Sequence, residues 1–444
     1  MRDHPWFGDE HLTLPLPAPQ IRDVVRREIR DTGVPPRDAL PAAPFVIPRC
    51  SYRELFHIAN VLLDLLRRTV LHLGVSTEGR LAALGTTRED YPLFLDDLFL
   101  EERYAACMAR PDVVVGATGP KFLEFNVSGA VGGPVEAHCL QRAWHFLEHR
   151  THHSRLCYDD PFAARAWLFR AVCGELDLPP RLAWVGSTRD LYHTDSTRYF
   201  DLELDYLHRQ GFVADHFEPE ELATALDAGL PNGYSAGLRH FTIPEWRELG
   251  IDTAPVAQAL KTGCLLLSPQ TSALLANKKT LGLISEGQPW MSKAEQQVVD
   301  DYVPWTRVLG DRQVTREADT IELGPFTLEH QEHLVLKRGI GMKGLQVVLG
   351  RDCSPEQWSD HVHTAITAGD SVVQDYVEPG RCRLDISWSE DSRVQPEQVA
   401  PVLSPFLFGG RRGGLWARFF ATGQTGVISR EGYGAMENVV LTTA

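Results

Sequence analysis

The stretch RPDVVVGATGPKFLEFN, residues 110–126, decides how this chain is read. An apolar run, a Gly-rich turn and a second alternating run predict strand, turn and strand, a β-hairpin. Glu124 and Asn126 lie two apart on the second strand and so share a face. Asp112, on the first strand, can meet them across the ladder. Two carboxylates and an amide oxygen are hard oxygen ligands, the set that suits Mg²⁺ held between protein and phosphates. The plain alternative is a polar face on an amphipathic hairpin. An Asn beside a Glu is unfavourable in a strand without a reason, which favours the functional reading. Arg110 lies near the same face, where a guanidinium can bear charge developing on a transferring phosphoryl group.

Working outward, the lysines cluster. Of 44 basic residues only seven are Lys, and five of those fall in KFLEFN (121–126), ANKKTLGLI (276–284) and LVLKRGIGMKGLQVVLG (334–350). A codon bias toward Arg explains the scarcity better than the clustering. Lys is a compact point charge on a flexible stem, suited to reaching one phosphate oxygen. The run Gly339-x-Gly341-x-x-Gly344 matches a dinucleotide fingerprint on paper, but that fingerprint needs a helix after the turn. Here LQVVLG, a strand, follows. The segment reads either as an ordinary hairpin or as a flap whose glycine backbone approaches nucleotide phosphates. In the second case Lys337 reaches phosphate from the strand and Lys343 from the loop. VVQDYVEP (372–379) is an apolar strand turning polar at Gln374 and Asp375. Such an edge can read adenine through a side-chain carbonyl and the backbone at Tyr376 and Val377, or it is simply a core strand.

Composition bounds the rest. The length of 444 residues suggests two to four domains at about 150 residues each, and 43% hydrophobic content is ample for a large core. A net charge of −15 argues against broad nucleic-acid binding, while allowing a local basic pocket. No apolar run approaches the ~20 residues of a membrane helix, and the charged, Pro-broken start is unlike a signal peptide. The eight cysteines form no CxxC pair, so free thiols in a reducing cytoplasm are expected. His152–His153 and His361-x-His363 lack a second ligand pair and read as surface or structural residues. A homodimer is compatible with the chain, though no residue pattern calls for it.

The expected organisation is mixed α and β. Residues 1–50, rich in Pro and Arg, are expected to wrap the surface. A helical pattern is expected through 51–105, and helix again over 134–175, opening at Pro134. RLAWVG (181–186), a helix near 196–210 and FVADHF form a βαβ unit, implying a parallel sheet. A helix is expected over about 272–286, then strand, Gly loop and strand, a helix over 354–369 and further strands to the end.

The order Arg-x-Asp, Glu-x-Asn, Asn-Lys opening a helix, strand-Lys-Gly-loop-strand, Val-Gln-Asp-Tyr-Val and a late-strand Arg resembles the synthetase domain of glutathionylspermidine synthase and trypanothione synthetase. That domain is a circularly permuted ATP-grasp fold, and the resemblance spans roughly residues 100–440. It implies an α+β chain in five parts: an N-terminal helical or substrate region (1–105), the metal-binding part of the core (106–178), a βαβ pre-ATP-grasp-like region (179–270), the lid and adenine hinge (271–378) and the rest of the core (379–444). It implies Asp112, Glu124 and Asn126 as Mg²⁺ ligands and Arg110 as the residue steadying an acyl phosphate. Lys278 and Lys337 fall to the ATP phosphates, Gln374 and the backbone after it to adenine, and Arg418 to the phosphates.

The chain departs from that family in two ways. About 105 residues precede Arg110, too few for the family's amidase, and VSGAVGGP (127–134) replaces its Asp/Thr/Pro-rich stretch, which weakens the case for glutathione and spermidine. A stand-alone peptide ligase of natural-product biosynthesis is similar in kind. The expectation is an ATP- and Mg²⁺-dependent ligase joining a carboxylate donor to an amine acceptor. Its rivals are a small-molecule kinase and a non-catalytic ATP-grasp-like binding protein.

Overall fold

The computed structural model describes residues 4–8, 12, 14–151, 156–191, 196–227, 234–341, 344, 346–388, 393–420 and 435–443. The hairpin forms as read: strands Met108–Gly116 and Gly119–Val127 pair antiparallel, with Asp112 opposite Glu124 and Arg110 opposite Asn126. The hairpin is one edge of a larger sheet. Val402–Phe408 pairs with its first strand, followed by Arg411–Phe419, Met436–Thr443 and Phe45–Val46. Under this sheet lies the helix Arg49–His72, whose Leu55, Ala59, Leu62 and Leu66 recur at three- and four-residue spacing and are fully buried.

A second, four-stranded antiparallel sheet runs Thr306–Val308, Ser371–Asp375, Leu334–Arg338 and Val347–Leu349. Its apolar face packs on the helix Pro355–Ala368 through Trp358, Val362 and Val373. That helix opens on a Ser354 capping box and closes on Gly369 in the left-handed conformation, so both ends are specified locally. The third sheet is parallel, in the order Val213–Phe217, Arg181–Val185, Ala236–Arg239 and Leu265–Leu267, with helix Arg198–Arg209 as the crossover. This is the βαβ section expected from the sequence.

Several expectations are corrected. The helical stretch 51–105 is three helices, Arg49–His72, Thr77–Ala83 and Leu98–Tyr104, and 134–175 is two, Pro134–Thr151 and Pro161–Glu175, the second opened by the Asp160 cap and Pro161. Residues 18–31 form a helix, Ala18–Asp31, instead of a surface wrap. Ile21, Val24 and Val25 are buried, and Arg22 points inward to donate to the Asp38 and Ser387 carbonyls at 2.6 and 2.8 Å. The helix expected over 272–286 is two helices, Thr271–Ala276 and Lys278–Glu286. They meet at Asn277, which is extended (φ −62°, ψ 123°) and caps the second helix by accepting from the Lys279 N–H at 3.0 Å. All eight cysteines are free thiols, five of them buried.

Candidate functional site

The hairpin, the second sheet and the end of the parallel sheet surround one cavity of about 690 Å³. Every described residue named above as a ligand, phosphate, base or catalytic candidate lines it: Arg110, Asp112, Glu124, Asn126, Lys278, Lys337, Gly339, Gly341, Gly344, Gln374, Asp375, Tyr376, Val377 and Arg418. Lys343 lies outside the described residues.

A β-bulge builds the centre. The ladder slips between Asp112 and Val113, so that Val113 faces Phe122 and Leu123 is the extra residue. Its carbonyl accepts from Lys337 Nζ at 3.1 Å and from Gln374 Nε2 at 3.2 Å. The bulge therefore joins the hairpin to the second sheet. Lys337, 6% exposed, also donates to Gln374 Oε1 at 2.7 Å. Burial pulls its ammonium down to about 8, against the field of Glu124, with Lys278 pushing the same way as burial.

Lys278 is placed by the Asn277 break. Its N–H donates to the Gly339 carbonyl at 2.9 Å, and its Nζ reaches Glu124 Oε2 and the Gly341 carbonyl, both at 3.3 Å. Gly339 is required by this approach, because a Cβ there would stand 2.7 Å from Asn277 Oδ1. On the other side of the hairpin, Arg418 Nη2 pairs with Asp112 Oδ1 at 2.8 Å, Arg110 Nε approaches it at 3.5 Å, and Ser404 Oγ donates to it at 2.9 Å. Both guanidiniums lie over the Trp416 ring, at 5.6 Å for Arg110 and 5.0 Å for Arg418.

Burial favours the neutral form of both carboxylates, but the surrounding cations win. Arg418 and Arg110 hold Asp112 well below its ordinary range, and Lys278 holds Glu124 down against burial and against Asp112. Both are ionised at neutral pH. Asn126 Nδ2 donates to the Arg110 carbonyl at 3.1 Å, which leaves Oδ1 as the atom of that amide able to meet a cation. Two ionised carboxylates directly opposed across a ladder, with an amide oxygen beside them, fit a hard divalent ion. Among the described residues there is no cluster of three His, Cys, Asp or Glu; His152 and His153 lie outside them.

The adenine-reading expectation needs revision in its atoms. The Gln374 carbonyl is held by Lys337, the Asp375 carboxylate pairs with Arg316 at 2.8 Å, and the Tyr376 N–H donates to the His333 carbonyl at 2.8 Å. The Tyr376 ring is covered by the Arg351 guanidinium at 3.6 Å. Sequence reasoning missed Ser404, Trp416, Arg239 and Gln270. Only their neighbours in space distinguish them.

Among solved structures, a glutathione synthetase-like effector from Globodera pallida in its apo form superposes over 97% of this chain and 99% of its own, with a TM-score of 0.56 and 10% identity. The two share a fold. At that identity the likeness concerns architecture alone. A Methylobacillus flagellatus protein provisionally designated a gamma-glutamylcysteine synthetase matches over 84% of this chain and 83% of its own, with 12% identity; its TM-score of 0.37 is too low to bear on the fold. No protein-family model and no curated protein matches the sequence. Among the described residues no helix is long and apolar enough to cross a membrane.

Proposed function

We propose that this protein is an ATP-dependent carboxylate–amine ligase with a circularly permuted ATP-grasp fold, working through an acyl phosphate with release of ADP and phosphate. The observation that carries the reading is the meeting of the hairpin sheet and the four-stranded antiparallel sheet over one cavity. The hairpin brings Asp112, Glu124 and Asn126, and the opposing elements bring Lys337 to the Leu123 carbonyl and Lys278 to Glu124. A triphosphate needs this alternation of cations and metal-binding carboxylates, and a sheet-to-sheet cleft sandwiches a nucleotide.

In this reading Asp112, Glu124 and Asn126 hold Mg²⁺, which supplies charge neutralisation at the transferring phosphoryl group. Lys278 and Lys337 bind phosphate oxygens. Arg110 and Arg418, set by Asp112 and Trp416, face the acyl phosphate and the charge that develops when the amine attacks. The loop through Gly339, Gly341 and Gly344 covers the phosphates and excludes water, with Lys343 assisting. Gln374 fixes Lys337, while Val377 and the strand end after Asp375 border the base. The five-part division given by the sequence is retained, with 179–270 as a substrate region. The donor is an amino acid or short peptide, and peptide or natural-product biosynthesis in a cytoplasm is the setting.

The test is nucleotide product analysis with Mg-ATP and pooled amino acids, short peptides and amines. Amine-dependent ADP and phosphate are expected. AMP and pyrophosphate would refute the acyl-phosphate route, and a stable phosphorylated product without amine dependence would make the protein a kinase.

A further inference from the structure

One wall of the cavity is the C-terminal edge of the parallel sheet, the edge where open α/β sheets bind ligands. Arg239 ends the strand Ala236–Arg239, is 5% exposed and lines the cavity. Its Nη1 donates to Gln270 Oε1 at 3.2 Å. Its Nε is buried with no partner, and among the described residues no hydrogen bond reaches its Nη2. The buried carboxylate whose field it feels, Glu101, accepts instead from the backbone N–H groups of Leu95, Gln270 and Thr271. Burial lowers the Arg239 guanidinium only to about 10, so it stays cationic at neutral pH. Ser272 Oγ, on the same wall, is also buried without a partner. A buried cation whose donor fork is mostly unused is costly unless a ligand completes it.

Arg239 is separate from the cations at the hairpin. Arg110 Nη1 donates to the Gly132 carbonyl at 2.9 Å, at one end of the 129–133 turn. At the other end, Gly129 packs so closely that a Cβ would stand 2.6 Å from the Arg239 carbonyl. The turn thus lies between two guanidinium stations. The planar fork matches a carboxylate with two parallel hydrogen bonds. A single cation beside Phe241 and Gln270 suits a monoanion better than a polyphosphate.

We propose that Arg239 binds a carboxylate of the small-molecule substrate other than the one that is activated, so that this substrate is an amino acid, peptide or dicarboxylate with a second free carboxylate. The proposal rests on the ligase reading of the cavity. It makes residues 239–242 and 268–272 the specificity wall.

The experiment is a thermal-shift titration of the full chain with Mg²⁺ and the non-hydrolysable analogue AMP-PNP. The probes are free dipeptides and their C-terminal carboxamides, and glutarate and its monoamide. The expected result is stabilisation by free acids that their amides do not give, with acid affinity weakened roughly 10- to 100-fold in Arg239→Met. Arg239→Lys, which keeps the charge but loses the fork, should fall between. The AMP-PNP shift should be unchanged in both variants, and Arg239→Met should be no less stable than the wild type. Equal stabilisation by acid and amide, no stabilisation by any acid in protein that binds AMP-PNP, or an acid shift surviving in Arg239→Met would overturn the proposal. Should Arg239→Met not fold, Arg239→Lys decides by the same comparison. Failure of AMP-PNP to bind would instead refute the ATP-site reading, while the acid-versus-amide comparison would still stand.

Discussion

Glu124→Ala is the perturbation that most directly tests the site. The carboxylate faces the cavity with 23% of its side chain exposed, and Lys278 stands 3.3 Å away with 10% exposed. Breaking a fully buried ion pair costs ~3–5 kcal/mol; with this degree of solvent access the stability loss should be nearer about 1–3 kcal/mol, which leaves the fold intact. The catalytic loss should be larger, ~10²–10³ in amine-dependent ADP formation, the magnitude for removing one preorganised charge contact. A second variant separates a metal ligand from a counter-charge. If Glu124 only neutralises Lys278, then Glu124→Ala combined with Lys278→Met should recover activity relative to Glu124→Ala alone. If the two hold different parts of Mg-ATP, the double variant should be no better than the worse single one. Coupled-enzyme ADP release, circular dichroism and Mn²⁺ binding in the presence of AMP-PNP read the three quantities. Folded Glu124→Ala with near-wild-type turnover, or with undiminished Mn²⁺ binding, would refute the metal assignment.

Lys337 gives a pH signature. Its folded value of about 8 lies below the ordinary 10.5, so below about 8 both states carry the proton and the full cost of burying it is present; between the two values only the unfolded chain does, and this group's contribution to stability rises with pH. If Lys337 binds phosphate as proposed, its charge is lost over the same window, so kcat/KM for ATP should fall above about pH 8, and a profile in Lys337→Met with the same descending limb would assign that limb elsewhere. Gly129→Ala should lose about 3 kcal/mol in urea unfolding, because its Cβ would stand 2.4 Å from the Leu267 carbonyl, which is backbone and cannot swing away; unchanged stability would show that the turn can move. Three backbone N–H groups donate to Glu101, at 2.7, 3.3 and 2.7 Å; Glu101→Gln keeps the shape and one acceptor oxygen but sets an NH₂ donor against a backbone N–H at the other, and should lower stability by about 1–3 kcal/mol in thermal unfolding. A neutral result there would mean that the 268–272 segment is held by packing alone.

Much of this site was legible because strand periodicity is rigid. Two-residue spacing put Glu124 and Asn126 on one face, and a short Gly turn put Asp112 opposite Glu124. The Asn-Lys pair was readable as a helix start because Asn caps helices, although the helix before it, Thr271–Ala276, was fused to it in the reading. The helix Ala18–Asp31 was hidden by its own composition. Its apolar Ile21, Val24 and Val25 have helical spacing, but the Pro and Arg around them resemble an exposed tail, and only the folded chain shows Arg22 buried. The bulge at Leu123 leaves no mark in KFLEFN, yet it frees the carbonyl that draws in Lys337 and Gln374. Arg239 was illegible for a related reason: in an Arg-rich chain one more strand-end arginine is unremarked until its unpartnered nitrogen is seen inside a cavity.

The order of segments explains how such a site is assembled without a compact stretch of sequence. The strand Met108–Gly116 pairs on one side with the hairpin's second strand and on the other with Val402–Phe408, so the carboxylate-bearing sheet draws on both halves of the chain. The segment from 181 to 375, which supplies the parallel sheet and the second, four-stranded sheet, is inserted between them. Asp112 therefore finds Ser404 and Arg418 beside it at a separation of about three hundred residues, through sheet neighbours and not through sequence neighbours. A site held in this way should lose its geometry as a unit. If the hairpin edge is unpaired from Val402–Phe408, the Arg418–Asp112 and Lys337–Leu123 contacts should fail together, because both depend on where one bulged strand pair lies.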